Sequence, residues 1–505
     1  MNIRCSYILL LISGFLCACS NYKSTVNLEF QPDTLTMYRN PLCGLAIYEY
    51  GHSFFPKEEQ SYDAWNIFDS VDATKYANIL YIRVPYDLME PEEGKYAWKY
   101  NKEYIAFINK ALSRGLKLGF RVFFDNCVPD WVYKAGAHST LEPPLCRQGD
   151  KLPYFDDPIF LEKLDNFIRA FGEEYNDPDK TDFIDAYGLG RWGEGHGVVL
   201  KDSANLKKVI ERVTESYAKN FDKVITAITL SSADWYLTKP LAFDKLGFIP
   251  RRDGIGSHWF HDGEREALKQ LFPEKAFIAE GCYFLDVDDT YHYDRSKRRK
   301  LTKDFTFTVD TACNEKNDFW HDKRFKMRSY SEMFRVELED ALINHANVFN
   351  LRAPHECEFW IKYLPNEVQR FITLGGYRLY PSQISIKQKG NHFKINHSWN
   401  NYGVGVLPNK HPNWNKKYKV SFALLEAESK EVVETYVVPD ADPSDWLKGN
   451  TTVYETSFNL GSQSGKYILC VGITDSTKKD LPSIEIAVGS QFKIGKWVKL
   501  LDISL

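Results

Sequence analysis

Over the first three-quarters of the chain, short apolar runs alternate with longer segments whose apolar residues recur every three or four positions. The runs fall at 40–50 (NPLCGLAIYEY), 76–86 (YANILYIRVPY), 116–124 (LKLGFRVFF), 183–187, 224–230, 253–260, 276–284 (AFIAEGCYF) and 346–351. Each has the length of a buried strand. Between them, Ile105, Ile108, Ala111 and Leu112 share one helical face, with Gly115 as the stop. Phe160, Leu161, Leu164, Ile168 and Phe171 form a stripe behind an Asp157 cap, and Leu206, Val209, Ile210, Val213 and Tyr217 form another behind Ser203. Leu268 and Leu271 follow a cap at Asp262, and helical segments at 331–344 and 366–374 complete the series. Eight strands alternating with helices predict an α/β fold with a parallel sheet, closed into a (β/α)8 TIM barrel over residues 39–376.

After Gly375 and Gly376 the period changes to two. Ile384 and Ile386, Phe393 and Ile395, then Val420, Phe422 and Leu424 alternate with polar residues. Further short runs lie at 432–438, 453–458, 467–473, 484–488 and 497–503, which predicts a C-terminal antiparallel β-sandwich over 377–505.

The N-terminus follows a different logic. Arg4 precedes an apolar run at 7–16 that is too short to span a bilayer as a mature helix. Leu16-Cys17-Ala18-Cys19 then resembles a bacterial lipobox. The resemblance implies a signal peptide over 1–18, cleavage before Cys19, and acylation of Cys19. Paired acyl chains would anchor the protein stably in the cell envelope, with the outer membrane as the expected address and its face left open. Residues 19–38 are expected to be a tether.

Composition narrows the chemistry. The chain has 505 residues and a net charge of −4, which gives no support for nucleic-acid binding. Aromatic residues make up 15%, with 12 Trp and 30 Tyr, a richness that suits both a large core and clefts in which rings stack on sugar faces. Three of the 10 cysteines lie in the leader, and the other seven are scattered without a C-x-x-C pair or zinc-site spacing.

The most site-like stretch is 181–197, TDFIDAYGLGRWGEGHG. A strand runs into Gly188, Gly190 and Gly193, and the chain then presents Arg191, Trp192, Glu194 and His196. The three glycines match G-x-G-x-x-G. That motif needs a helix opening at its last glycine to receive a pyrophosphate, and here Glu194 follows instead, so no nucleotide is expected. A second carboxylate, Glu280, ends the seventh run. In a barrel, both glutamates leave strands at the catalytic end, where two carboxyl groups on either side of one glycosidic bond suffice for hydrolysis. Arg83, at the exit of the second strand, is expected to pair with Glu280 and keep it ionised. Trp192 beside Glu194 is expected to favour a protonated acid.

The loop 90–98, EPEEGKYAW, resembles the second-strand loop of clan A glycoside hydrolases, especially the family 42 and family 35 β-galactosidases. The resemblance implies a retaining mechanism with the acid/base after the fourth strand and the nucleophile after the seventh, at Glu194 and Glu280. The barrel-plus-sandwich layout, with NPLCG at its start and GGYRLYP at the junction, is more similar to bacterial glycosidase-like lipoproteins. One position departs from the clan pattern: Gly193 stands where an Asn precedes the acid/base and contacts the 2-hydroxyl. Asp125, Asn126 and His196 are candidates to replace that contact.

Trp131 is a candidate stacking platform, and Trp192, His258 and Tyr283 are candidates to line the sugar site. His258 with His261, and the acidic Asp286, Asp288 and Asp289, lack the further ligands a metal site needs, so neither metal nor cofactor is expected. The basic run at 297–300 reads as solvated charge. The sequence therefore predicts a lipid-anchored retaining glycoside hydrolase acting on a β-linked oligo- or polysaccharide, with galactose-containing glycans as one class. A non-catalytic glycan-binding lipoprotein on the same scaffold is the alternative.

Overall fold

The eighth barrel strand, Ala346–Asn350, pairs in parallel with the first, Gly44–Glu49, through Val348 with Gly44 and Asn350 with Ala46. That pairing closes the barrel. The intervening strands are Ala77–Pro85, Lys117–Phe123, Thr181–Asp185, Ile225–Thr229, Ile249–Ile255 and Phe277–Gly281, and all neighbours are parallel. The computed structural model describes residues 23–51, 53–55, 63–140, 151–231, 235–257, 259–281, 330–461, 464–479 and 481–505. Cys19, His258, Tyr283, the acidic group at 286–289 and the basic run at 297–300 lie outside the described residues.

Seven strands fall close to the apolar runs. The sixth begins earlier than the 253–260 expected. Its centre, Pro250-Arg251-Arg252-Asp253, is polar because Arg251 faces a charged barrel interior and Arg252 pairs with Glu264 of the following helix, so apolarity pointed to the loop beyond it.

Strand alternation sorts the side chains into two cores. Leu45, Ile47, Leu80, Ile82, Val84, Leu118, Phe120 and Val122 face the helices and join the stripe of Pro158–Tyr175. That helix starts as expected, with Asp157 accepting from Ile159 N at 2.9 Å and Phe160 N at 3.1 Å. The Ser203 cap is displaced by one residue: Asp202 accepts from Ala204 N, and a short 3₁₀ turn precedes Leu206–Asn220.

The inward residues Ala46, Tyr48, Ile79, Tyr81, Phe183, Ile225, Ile249, Ile278 and Val348 belong to a different core, continuous with Leu407, Trp414, Tyr418 and Val420 of the C-terminal region. That region therefore seals the N-terminal end of the barrel. Asn413 Nδ2 fixes the seal by donating to Phe221 O and Val224 O, and Asn347 Nδ2 by donating to Val406 O. The opposite end, where strands exit, is left for a site.

The C-terminal region consists of two antiparallel sheets facing each other across Phe422 and Phe458, whose rings stack at 5.3 Å. One sheet contains Leu379–Lys389, His392–Asn401 and Thr452–Asn459. The other is built on Tyr418–Glu426, Lys466–Asp475 and Trp497–Ser504. Residues expected to be tether contribute to the first sheet: Lys23–Glu29 pairs with Leu379–Lys389, Val26 opposite Ile386 and Leu28 opposite Ile384. Val26, Leu28 and Phe30 alternate with polar residues, and Phe30 is buried, so this segment has an apolar face that a free tether would leave in water.

The loop at 90–98 is a buttress. Glu90 accepts from Gly94 N at 2.8 Å and from Tyr86 Oη at 2.9 Å, and Tyr96 stacks on Trp98 at 4.6 Å. Trp98 in turn meets Phe167 and Phe171 of the long helix.

Candidate active site

The barrel interior changes character toward the strand exits. Below, inward positions are apolar. One pair further along, they are Tyr81, Arg121, Asp185, Arg251, Glu280 and Asn350. Arg121 donates from Nε to Asp185 Oδ2 at 2.7 Å and from Nη1 to Glu194 Oε1 at 2.7 Å, and Tyr81 Oη reaches Asp185 Oδ2 at 3.1 Å. Arg251 donates from Nη1 to Glu194 Oε1 at 3.3 Å and from Nη2 to Glu280 Oε2 at 2.5 Å. Asn350 Nδ2 adds a second donor to Glu280 Oε2 at 3.1 Å. Both arginine side chains are closed to solvent, so each charge requires its partners: an unpaired ion at such depth would cost several kcal/mol, on the order of the penalty for any buried charge.

Burial acts on Glu280 to raise its pKa, but Arg251, Arg121, Arg352 and Arg83 together outweigh it and hold the carboxyl below its usual range. It is therefore a carboxylate at neutral pH.

Glu194 owes its place to the glycine turn. Gly188, Gly190 and Gly193 all have left-handed φ, between 64° and 74°, and Trp192 between them has φ 60°. A Cβ at Gly188 would lie 2.6 Å from Val122 O. At Gly193 it would start 3.1 Å from Gly188 Cα and 3.2 Å from Arg121 Cδ. With φ at 74° as well, a side chain at this position would be strained and would crowd the stem of Arg121. Arg191 N donates to His196 O within the turn, and Phe124 N to Gly188 O and Trp192 N to Asp125 Oδ2 tie it to the end of the third strand.

Glu194 and Glu280 thus meet on one guanidinium, that of Arg251. Arg83 departs from expectation. Its Nη1 lies 3.9 Å from Glu194 Oε1, and among the described residues its only ion pair is with Glu194, not Glu280. In the closed barrel the second strand is two steps from the fourth and three from the seventh, so its exit faces Glu194. Trp192 departs as well: the residue is 42% exposed, and Arg121, Arg251 and Arg83 surround the Glu194 carboxylate instead.

Asp125 is buried beside the turn, and burial raises its pKa against the Trp192 N–H and the charge of Arg83. Asn126 is exposed next to it and accepts from Cys127 Sγ. Trp131 is placed on the buttress loop, its indole N–H donating to Glu90 O at 3.0 Å and its ring against Tyr86. His196 is exposed, and one ring nitrogen lies with carboxylate oxygens of Glu194 and Asp253, all within 4.8 Å of one another. This trio has the donor types of a cation site, but Glu194 already accepts from Arg121 and Arg251, and Asp253 pairs with Arg251 and Arg252. Its charge balance is that of an ion-pair network.

Arg121, Asp185, Arg251, Asp253 and Asn350 were not singled out in the sequence. The available signal was a charged residue inside an apolar strand, as in LGFRVFF and FIDAY, at the parity that faces inward.

No protein-family model and no curated protein matches the chain. Among solved structures, the lactosyl-enzyme intermediate of endo-glycoceramidase II from Rhodococcus sp. is similar at 11% identity and TM-score 0.39, covering 85% of this chain and 100% of that one. Endoglucanase Cel5A from Pseudomonas stutzeri is similar at 9% identity and TM-score 0.38, over 65% of this chain and 97% of that one. The GH10 xylanase from Thermobacillus composti is similar at 11% identity and TM-score 0.35, over 62% and 84% respectively. What the site can do is read from its own atoms.

Proposed function

We propose that this protein is a glycoside hydrolase that cleaves a β-linked oligo- or polysaccharide with retention. The observation that carries the reading is the shared guanidinium: Arg251 holds Glu194 and Glu280 together at the strand-exit end of a closed barrel. Glu280, kept ionised by its arginines, attacks the anomeric carbon. Glu194 gives a proton to the leaving oxygen and then takes one from the water that releases the sugar. Among the described residues both hydrogen-bond donors to Glu194 reach Oε1, which leaves Oε2 to carry that proton.

One observation favours a second reading, a glycan-binding protein without turnover. Three guanidiniums converge on Glu194, an arrangement that suits a permanent ion pair. A panel of nitrophenyl glycosides and plant or host glycans separates the two. Turnover by the native chain that vanishes in Glu280→Gln supports the hydrolase. Glycan binding without turnover by the native chain supports the second reading.

We also propose anchoring through acylated Cys19 in a bacterial envelope, at the outer membrane. Cys19→Ser should move the protein from the membrane fraction to the soluble one; an unchanged distribution would place the anchor elsewhere. Among the described residues, no helix is long and apolar enough to cross a membrane.

A further inference from the structure

The arginines of the mouth are not alike. Arg121 and Arg251 donate to Asp185, Glu194 and Glu280, although Arg251 Nε, like Arg252 Nε, is buried without a hydrogen-bond partner. Arg252 is bound to Glu264 and to Trp259 O, and Arg352 to Tyr50 Oη and Gly281 O. The Arg83 side chain, unlike those of the other four, makes no hydrogen bond from any of its nitrogens among the described residues. Its Nε is buried without a partner, and its side chain is 12% exposed. The nearest carboxylate oxygen, Glu194 Oε1, is 3.9 Å away and already accepts from Arg121 and Arg251. Asp125, the other carboxyl close by, uses Oδ2 on the Trp192 N–H.

Arg83 is nevertheless held in place. Its guanidinium carbon lies 5.5 Å from the Phe123 ring centre and 5.9 Å from that of Tyr50. The result is a planar fork of N–H donors, oriented by aromatic faces, beside the candidate acid/base and lacking an acceptor. A buried Nε–H without an acceptor is costly, and the groups that match the fork best are carboxylate and sulfate oxygens, which it binds through two parallel bonds. On the Glu194 loop itself a second cation, Arg191, lies 4.4 Å over the exposed Trp192 ring, with no carboxylate partner among the described residues.

We infer that Arg83 is the receptor for an acidic group on the sugar, so that the site selects uronate-containing or sulfated glycans. This rests on the hydrolase reading for the identity of the site but not for its test, which needs no turnover. The full chain is titrated calorimetrically at low salt with matched sugars: methyl β-glucuronide against methyl β-glucoside, methyl β-galacturonide against methyl β-galactoside, and methyl β-galactoside 6-sulfate against its parent. The acidic member of at least one pair should bind tenfold or more tightly than the neutral one, and which pair responds tells carboxylate from sulfate. Arg83→Gln should lower the ratio of acidic to neutral affinity tenfold or more, whatever it does to the neutral affinity itself. Arg83→Lys keeps the charge without the fork and should retain a minor part of the preference.

Equal binding within every pair by the native chain overturns the inference, and needs no variant to fold. So does an Arg83→Gln variant that loses acidic and neutral sugars alike. If acidic sugars bind through Arg83 and none is cleaved, the hydrolase reading fails and this one stands. If neutral glycosides are cleaved and acidic ones bind no better, the reverse holds.

Discussion

Arg251 donates from Nη2 to Glu280 Oε2 over 2.5 Å inside the barrel, with both side chains closed to bulk water. The contact joins the sixth strand to the seventh. Because the other nitrogen of the same guanidinium reaches Glu194, it also joins the seventh strand to the turn after the fourth.

Arg251→Met should therefore leave two buried carboxylates facing each other without their common cation. Removing one partner of a buried pair typically costs about 3–5 kcal/mol. Urea denaturation should show a loss in that range with the slope unchanged. A loss below about 1 kcal/mol would mean that water or another cation replaces the guanidinium.

The charge state of Glu280 gives a pH dependence. Its folded pKa lies below the ordinary 4.5, so the folded state binds this proton less readily than the unfolded chain. The stabilisation is fully present above the ordinary value and is lost as pH falls through the lower, folded one. Urea midpoints taken from pH 6 downward should fall in the native chain and fall less steeply in Glu280→Gln. Parallel curves would remove Glu280 from the acid transition.

The two glutamates should separate kinetically. Glu280→Gln should abolish turnover on every substrate. Glu194→Ala should lose about 10²–10⁴-fold on substrates with poor leaving groups, the usual worth of a general acid, and much less on activated aryl glycosides, with azide restoring the second step. Retention places the carboxyl groups ~5–5.5 Å apart and inversion ~6.5–9.5 Å. NMR of the first product anomer decides between them, and an inverted anomer would remove Glu280 as nucleophile.

Glu90 behaves in the opposite sense to Glu280. Burial and the charge of Glu93 raise its pKa to about 7, against the donors Gly94 N and Tyr86 Oη. A carboxyl with a raised folded pKa stabilises the fold below its ordinary value, and that contribution is lost as pH rises to about 7. Glu90→Gln, whose amide oxygen still accepts from Gly94 and whose NH₂ can donate to Tyr86, should be more stable than the native chain at pH 8 and no more stable at pH 4. Thermal melts at the two pH values check the crossover.

The sequence alone determined the alternation of strands and helices, the change to period two after Gly376, and the glycine turn that presents Glu194. These features are local: apolar periodicity reports which face of an element is buried, and left-handed turns demand glycine, whatever surrounds them. The tertiary structure decided what lies around the glutamates. Trp192 is two positions from Glu194 in sequence but exposed, whereas Arg121 and Arg251 are 73 and 57 positions away and touch it. Arg83 faces Glu194 because barrel closure fixes how many strands separate each exit. Lys23–Glu29 became a sheet strand because a distant partner, Leu379–Lys389, was there to pair with it. The charge of the sixth strand, which hid it from an apolar reading, is stable only because closure brings Asp185, Glu194 and Glu280 to its inward face. Electrostatic partners are set by distance in space, and along this chain that distance is fixed only when the eighth strand meets the first.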